Sequence, residues 1–199
     1  VSKSGAVFNL EKLNWFNKEY IKKLPNQEVI ERALSWLKPV ILSPDTIGAK
    51  NPFAQRTRDP SAAPQDDQWL RRVVALEKER ITTLSELPEA IRFIFKLPTY
   101  QKELLVWRKG TLEEAKTILP ELKAYIEKLE AGEWVKEKLE IAVKNWIAEK
   151  KYSTGSVLWP LRVALSGQQN SPGPFEIAEV LGKDECLKRV GGALEILAT

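Results

Sequence analysis

The sequence predicts an all-α protein. Apolar residues recur three and four positions apart along most of the chain, as in Leu112, Ala115, Ile118, Leu119, Leu122 and Ile126, the spacing that lines one face of a helix. Two Thr-x-x-Glu sequences, Thr83 to Glu86 and Thr111 to Glu114, have the form of a capping box that opens a helix. No convincing strand is found, and no unit repeats as in a solenoid. Short helices joined by short turns then predict a curved helical array in two small subdomains.

Taken in order, Asn9 caps a first helix that carries Leu10, Leu13, Phe16, Tyr20, Ile21 and Leu24 on one side and ends at Pro25. Lys12, Trp15, Lys18, Lys22 and Lys23 fall on other faces. Trp15 fits the apolar stripe poorly: it packs on a neighbouring helix or, with Lys12, lies against a nucleic-acid backbone. Asn26 caps a second helix with Val29, Ile30, Ala33, Leu34 and Leu37 inward, which Pro39 kinks or shortens. Residues 43–68, with Pro44, Pro52, Pro60 and Pro64, read as a solvated loop, with RNA contact by its Lys50, Arg56 and Arg58 as the other reading. Asp66 or Asp67 opens a third helix with Trp69, Leu70, Val73, Val74 and Leu76. The joint beyond it is rich in arginine, with Arg71, Arg72 and Arg80; the first two are adjacent, so at most one faces inward.

A further helix covers 87–97, and Pro98 marks a boundary that separates subdomains 26–98 and 99–199. Glu103 to Arg108 form a short helix, followed by longer ones from Leu112 to Leu129 and from Trp134 to Lys150. Val157, Leu158, Leu161 and Leu165 give the next helix one apolar face, on which Arg162 is the single cation. The Ser171-Pro172-Gly173-Pro174 loop leads into a helix from Phe175 to Gly182. Taken alone, Arg162 is a snorkelling surface arginine and the loop a turn. Asp184 caps a last helix with Cys186, Leu187, Val190, Leu194 and Leu197, weakened by Gly191-Gly192.

Several classes of chemistry drop out. The chain has no histidine, hence no imidazole base, no triad with histidine and no histidine-ligated zinc. Cys186, the one cysteine, allows no internal disulfide and fits a reducing cytoplasm. No apolar run approaches the roughly 20 residues that cross a bilayer, and VSKSGAV has no signal-peptide core. Methionine is absent even at position 1, which suggests a piece of a longer chain with its chemistry in the preceding part. Residues 1–110 hold 19 Lys/Arg against 13 Asp/Glu, or +6, and residues 111–199 hold 12 against 14, or −2. The basic half suits a polyanion.

The stretches LWPLRVALSG and SPGPFEIAEVLGK, with VFNLEKLNWFNKEYI near the start, resemble in order and spacing the C-terminal anticodon-binding region of bacterial-type glutamyl-tRNA synthetases. The resemblance runs over nearly all of the chain. It implies that residues 1–25 end a module touching the tRNA stem, with Lys12 and Trp15 at contact positions. It implies that 26–98 and 99–199 form the anticodon-binding cage, with Arg72 among the tRNA-binding residues. Arg80 matches the position associated with the third anticodon base, C in glutamate tRNAs and G in glutamine tRNAs. Cytosine offers O2 and N3 acceptors to a guanidinium, whereas guanine presents donors that oppose it. Arg162, Ser171, Pro172, Gly173 and Pro174 match contacts to the first anticodon base, and Pro174 has no N–H to give.

Val1-Ser2-Lys3-Ser4 is similar to the K-M-S-K-S loop of class I synthetases but lacks its Lys-Met, and reads as a junction without a catalytic role. The resemblance therefore implies no catalytic residue, metal or cofactor in this stretch, and ATP with Mg in a preceding catalytic domain. Its implied partner is tRNA(Glu), with no membrane or DNA, for a cytoplasmic monomer. Two other readings stay open: a helical protein-interaction module without RNA binding, and an enzyme using a carboxylate pair such as Glu176 and Glu179.

Overall fold

The computed structural model describes residues 9–41, 65–108 and 110–199. Val1 to Ser4, and residues 43–64 with Lys50, Arg56 and Arg58, lie outside the described residues. Every regular element among the described residues is helical, and the chain divides into two compact units, Val1–Arg92 and Phe93–Thr199.

The first unit contains α1 (Leu10–Lys23), α2 (Asn26–Ile41), α3 (Gln65–Glu77) and a 3-10 turn at Leu84–Glu86. That turn leads into α4 (Leu87–Phe95), whose last residues belong to the second unit. Asn9 caps α1, its Oδ1 accepting from the Lys12 N–H at 3.0 Å. The stripe of α1 behaves otherwise than predicted. Ile21 and Leu24 are buried, but Leu10, Leu13, Phe16 and Tyr20 are exposed. Trp15 is exposed too and meets Phe16 edge-on at 5.1 Å.

Asn26 is not a cap. The Pro25 carbonyl accepts the first helical bond from Val29 N–H at 3.1 Å, so α2 starts with Asn26 itself and frees its side chain to reach across to α3. There it donates to Arg71 O and accepts from Lys78 Nζ, each at 3.2 Å. Val29, Ala33 and Leu37 pack against α3, where Leu70, Val73 and Val74 are buried; Leu34, expected inward, is exposed. Pro39 does not stop α2 before Ile41. The Glu86 carboxylate accepts from the N–H groups of Thr82 and Thr83 at 2.9 and 3.2 Å, so the predicted box starts a 3-10 turn that then becomes α4.

The second unit contains a 3-10 turn at Lys102–Leu105, α5 (Leu112–Glu127), a 3-10 turn at Ala131–Glu133, α6 (Lys136–Lys150), α7 (Thr154–Ser166), α8 (Pro174–Leu181) and α9 (Lys183–Ala198). The helix expected over Glu103–Arg108 reduces to that single turn, because the backbone is already extended at Val106, with φ −85° and ψ 126°, outside the helical region; Arg108 follows at a φ of +44°. Thr111 caps α5, accepting from Glu114 N–H at 3.1 Å.

α7 packs against α5, α8 and α9 together, which buries Val157, Leu161, Val163, Ala164 and Leu165. It is apolar on more than the one face predicted. Gly167 ends it at a φ of +66°, where an added Cβ would lie 2.8 Å from Pro98 O; glycine alone fits there without strain. Asp184 is not the cap of α9: Gly182 holds that place, and Asp184 lies in the first turn, where its charge suits the helix dipole. Buried Arg189 on α9 donates from Nη1 to Phe93 O at 2.8 Å and Leu165 O at 2.7 Å, and from Nη2 to Ile94 O at 2.8 Å. One guanidinium thus serves the carbonyl ends of α4 and α7, which have no partner within their own helices.

Candidate nucleic-acid interface

In the second unit, α7 begins where Ser153 Oγ accepts from Ser156 N–H at 3.1 Å. Two turns later it carries Trp159 and Arg162, three positions apart and so neighbours on the helix surface. Trp159 Nε1 donates to Leu104 O at 2.8 Å, which fixes the indole. The Arg162 guanidinium lies over it, Cζ 4.5 Å from the ring centre, and Nη2 donates to Gln169 O at 2.9 Å. Arg162 is therefore held on an aromatic face and tied to the segment that leads into Ser171. Nη2 is thus engaged by the main chain, and Nε is buried.

Ser171 and Pro172 are buried, and Ser171 Oγ turns to Pro172 O at 3.3 Å. The Ser171 hydroxyl is thus turned to the main chain of the loop itself. Gly173 and Pro174 are half-buried. Gly173 caps α8 and Pro174 is its first residue, as suits a residue without an N–H. An added Cβ at Gly173 would lie 2.2 Å from Glu176 Oε2, so glycine makes room for that carboxylate. Glu176 in turn pairs with Lys136 Nζ at 2.9 Å, and this hydrogen bond raises the Lys136 pKa. A glutamate so engaged gives the carboxylate-pair reading no support.

In the first unit, Arg80 sits in the turn after α3, its N–H bonded to Glu77 O at 2.8 Å. Its Nε donates to Glu77 Oε2 at 3.0 Å. Glu77 is 5% exposed; burial pushes its pKa up to about 7, opposed by the charge and hydrogen bond of Arg80. The Arg80 side chain is 43% exposed, and Nε is the atom committed to Glu77. Arg71 bridges to α2 through Gln27 Oε1 at 3.1 Å, while Arg72 is exposed. Lys12 and Trp15 lie on the exposed part of α1, with Lys12 Nζ 6.0 Å from the Phe16 ring centre.

The structure therefore brings Arg162 together with the loop at 171–174 in one unit, and places Arg80, Arg72, Lys12 and Trp15 in the other. Sequence reasoning missed the partners that hold the two key arginines. Trp159 was detectable from its spacing to Arg162; the burial of Glu77 was not. Among the described residues no group of three or more His, Cys, Asp or Glu side chains could hold a metal ion. Cys186 is buried, with Sγ toward Ala178 O at 3.6 Å, and burial pushes its pKa far up; it is no nucleophile. No described helix is long and apolar enough to cross a membrane.

Comparison with known proteins places the chain in a family. A glutamate–tRNA ligase of Clostridium kluyveri is 35% identical over 197 residues, which is 96% of this chain and 34% of that one. A glutamate–tRNA ligase of Thermus thermophilus is 37% identical over 196 residues, with 98% and 36% covered. This chain spans about a third of the length of either relative. Among solved structures, a glutamate tRNA ligase of Elizabethkingia meningosepticum superposes with a TM-score of 0.71 over 98% of this chain and 34% of that one. At 23% identity that likeness speaks for the fold. Residues 28–194 match the family model described as an anticodon binding domain, and with most of its length so matched the chain belongs to that family.

Proposed function

We propose that this chain reads the anticodon of glutamate tRNA as the C-terminal part of a glutamate–tRNA ligase. The observation that carries the reading is the fixed guanidinium of Arg162, clamped on Trp159 and tied to Gln169 O beside the loop at 171–174. An arginine pre-set in this way meets a base edge without first losing side-chain entropy. Sequence-specific RNA readers commonly take single-stranded loops whose base edges are exposed.

Arg162 with Ser171, Pro172, Gly173 and Pro174 receives the first anticodon base, Ser171 and Pro172 through main-chain groups. Arg80 receives the third, held by Glu77 through Nε, and selects C over G. Lys12, Trp15 and Arg72 contact the RNA from residues 1–25 and from the first of the two subdomains, 26–98 and 99–199. Activation of glutamate with ATP and Mg takes place in another part of the longer protein, a cytoplasmic monomer.

A bidentate contact to a base edge discriminates by about 1–3 kcal/mol, judged from such contacts in DNA, or about 5- to 150-fold in affinity. Filter binding of the chain to tRNA transcripts with C or G at the third anticodon position should show a preference for C that Arg80→Gln removes. An unchanged preference in Arg80→Gln would refute the assignment. Binding of a protein partner that ignores salt, with no RNA bound, would instead favour the interaction-module reading, since RNA affinity falls with salt.

A further inference from the structure

A second arginine stands on the same aromatic support as Arg162. Arg108 Cζ lies 4.5 Å from the ring centre of Trp107; Trp107 and Trp159 are 5.0 Å apart and tilted by 46°; Arg162 lies 4.5 Å from Trp159. The four side chains are joined pairwise, Arg108 to Trp107, Trp107 to Trp159 and Trp159 to Arg162, all within the unit Phe93–Thr199. Trp107 reaches its place because α7 has a glycine in its first turn: an added Cβ at Gly155 would lie 2.2 Å from Trp107 Nε1. Arg108 reaches its own through the φ of +44°, a left-handed conformation that L side chains disfavour. It is exposed, and among the described residues it pairs with no carboxylate.

We propose that Trp107 and Arg108 extend the Arg162 site along the RNA, with Arg108 binding a phosphate of the strand next to the base that Arg162 meets. This inference rests on the anticodon-reading function proposed above. Arg108 lies over the Trp107 ring and is exposed, so its guanidinium N–H groups are what it offers a ligand. Those groups match a phosphate. Trp107 then acts as a positioning residue, holding the guanidinium by cation–π contact. Positively charged groups that track the backbone are part of how proteins hold a single strand whatever its bases.

The test is binding of the whole chain to a labelled anticodon stem-loop between about 50 and 200 mM salt. Each phosphate contact to a single strand contributes about 0.7 to the slope of log affinity against log salt. Arg108→Gln should reduce the slope by that amount and weaken binding by the same factor whichever anticodon base is changed. Arg108→Lys should restore the slope, and Trp107→Leu should weaken binding as Arg108→Gln does. Arg108 is exposed, so its variants keep the test valid if Trp107→Leu does not fold. An unchanged slope in Arg108→Gln, with binding weakened in Arg162→Ala, would overturn the inference and leave the function standing. Unaltered binding in both would overturn the function itself. Equal affinity of the wild-type chain for a polyglutamate peptide and for the stem-loop would show that the site is not built for RNA.

Discussion

Arg189 offers the sharpest test of how the second unit is held together. Replacing it with methionine keeps most of the buried apolar stem but removes four charge-assisted hydrogen bonds. Three go to Phe93 O, Ile94 O and Leu165 O, and the fourth to Glu185 Oε1 at 2.9 Å. Replacing a buried ion pair with apolar residues is often neutral, because the ions shed a desolvation cost. Here three of the acceptors are main-chain carbonyls, which remain buried whatever residue stands at 189. Each such group left unsatisfied costs about 1–3 kcal/mol, while Glu185, 29% exposed, recovers part of its hydration. Allowing for water entry, the net loss should be about 3–5 kcal/mol, a large share of the roughly 5–15 kcal/mol that holds a domain folded. Arg189→Lys should lose about half as much, since an ammonium cannot span all four acceptors. Urea unfolding followed by far-UV circular dichroism, with amide exchange in α7 and α9 to locate the loss, measures both. A cost below about 1 kcal/mol for Arg189→Met would refute the capping role.

Two further outcomes follow from single positions. Glu77 has a folded pKa of about 7 against an ordinary 4.5, with burial as the main cause. The folded state therefore holds this proton more tightly, and the stabilisation is complete below about pH 4.5 and is lost as pH rises toward 7, by at most roughly 3 kcal/mol. The stability of Glu77→Gln minus that of wild type should rise across this window and then level off; a flat difference would contradict the assignment. Gly167→Ala should lower stability by about 1–3 kcal/mol, because φ is +66° and the new Cβ would lie 2.8 Å from Pro98 O. Calorimetry reads this directly, and an unchanged melting temperature would show that the turn can relax.

The helical class and most element positions were legible in the sequence, because helix formation depends on residues three and four apart. The caps at Asn9 and Thr111 and the Glu86 box were found for the same reason. Partners of like spacing could also be read: Trp159 and Arg162 meet on one helix. An apolar stripe, however, says which face of a helix is hydrophobic and not whether anything covers it, so the exposure of Leu10, Leu13 and Phe16 came as a correction. Asn26 looked like a cap because only its local role could be weighed, while its actual partners lie on α3 and just beyond it.

The arginines make the same division. Arg72, Arg108 and Arg189 carry the same side chain, yet the first two are exposed and Arg189 is 4% exposed, bonded to carbonyls more than 90 residues away. Local composition determined that this chain is helical, basic in its first half and without histidine. Which arginine serves the core and which faces solvent was decided by tertiary packing. The cost of burying a guanidinium is met only where several distant main-chain acceptors converge, and no stretch of sequence contains that convergence.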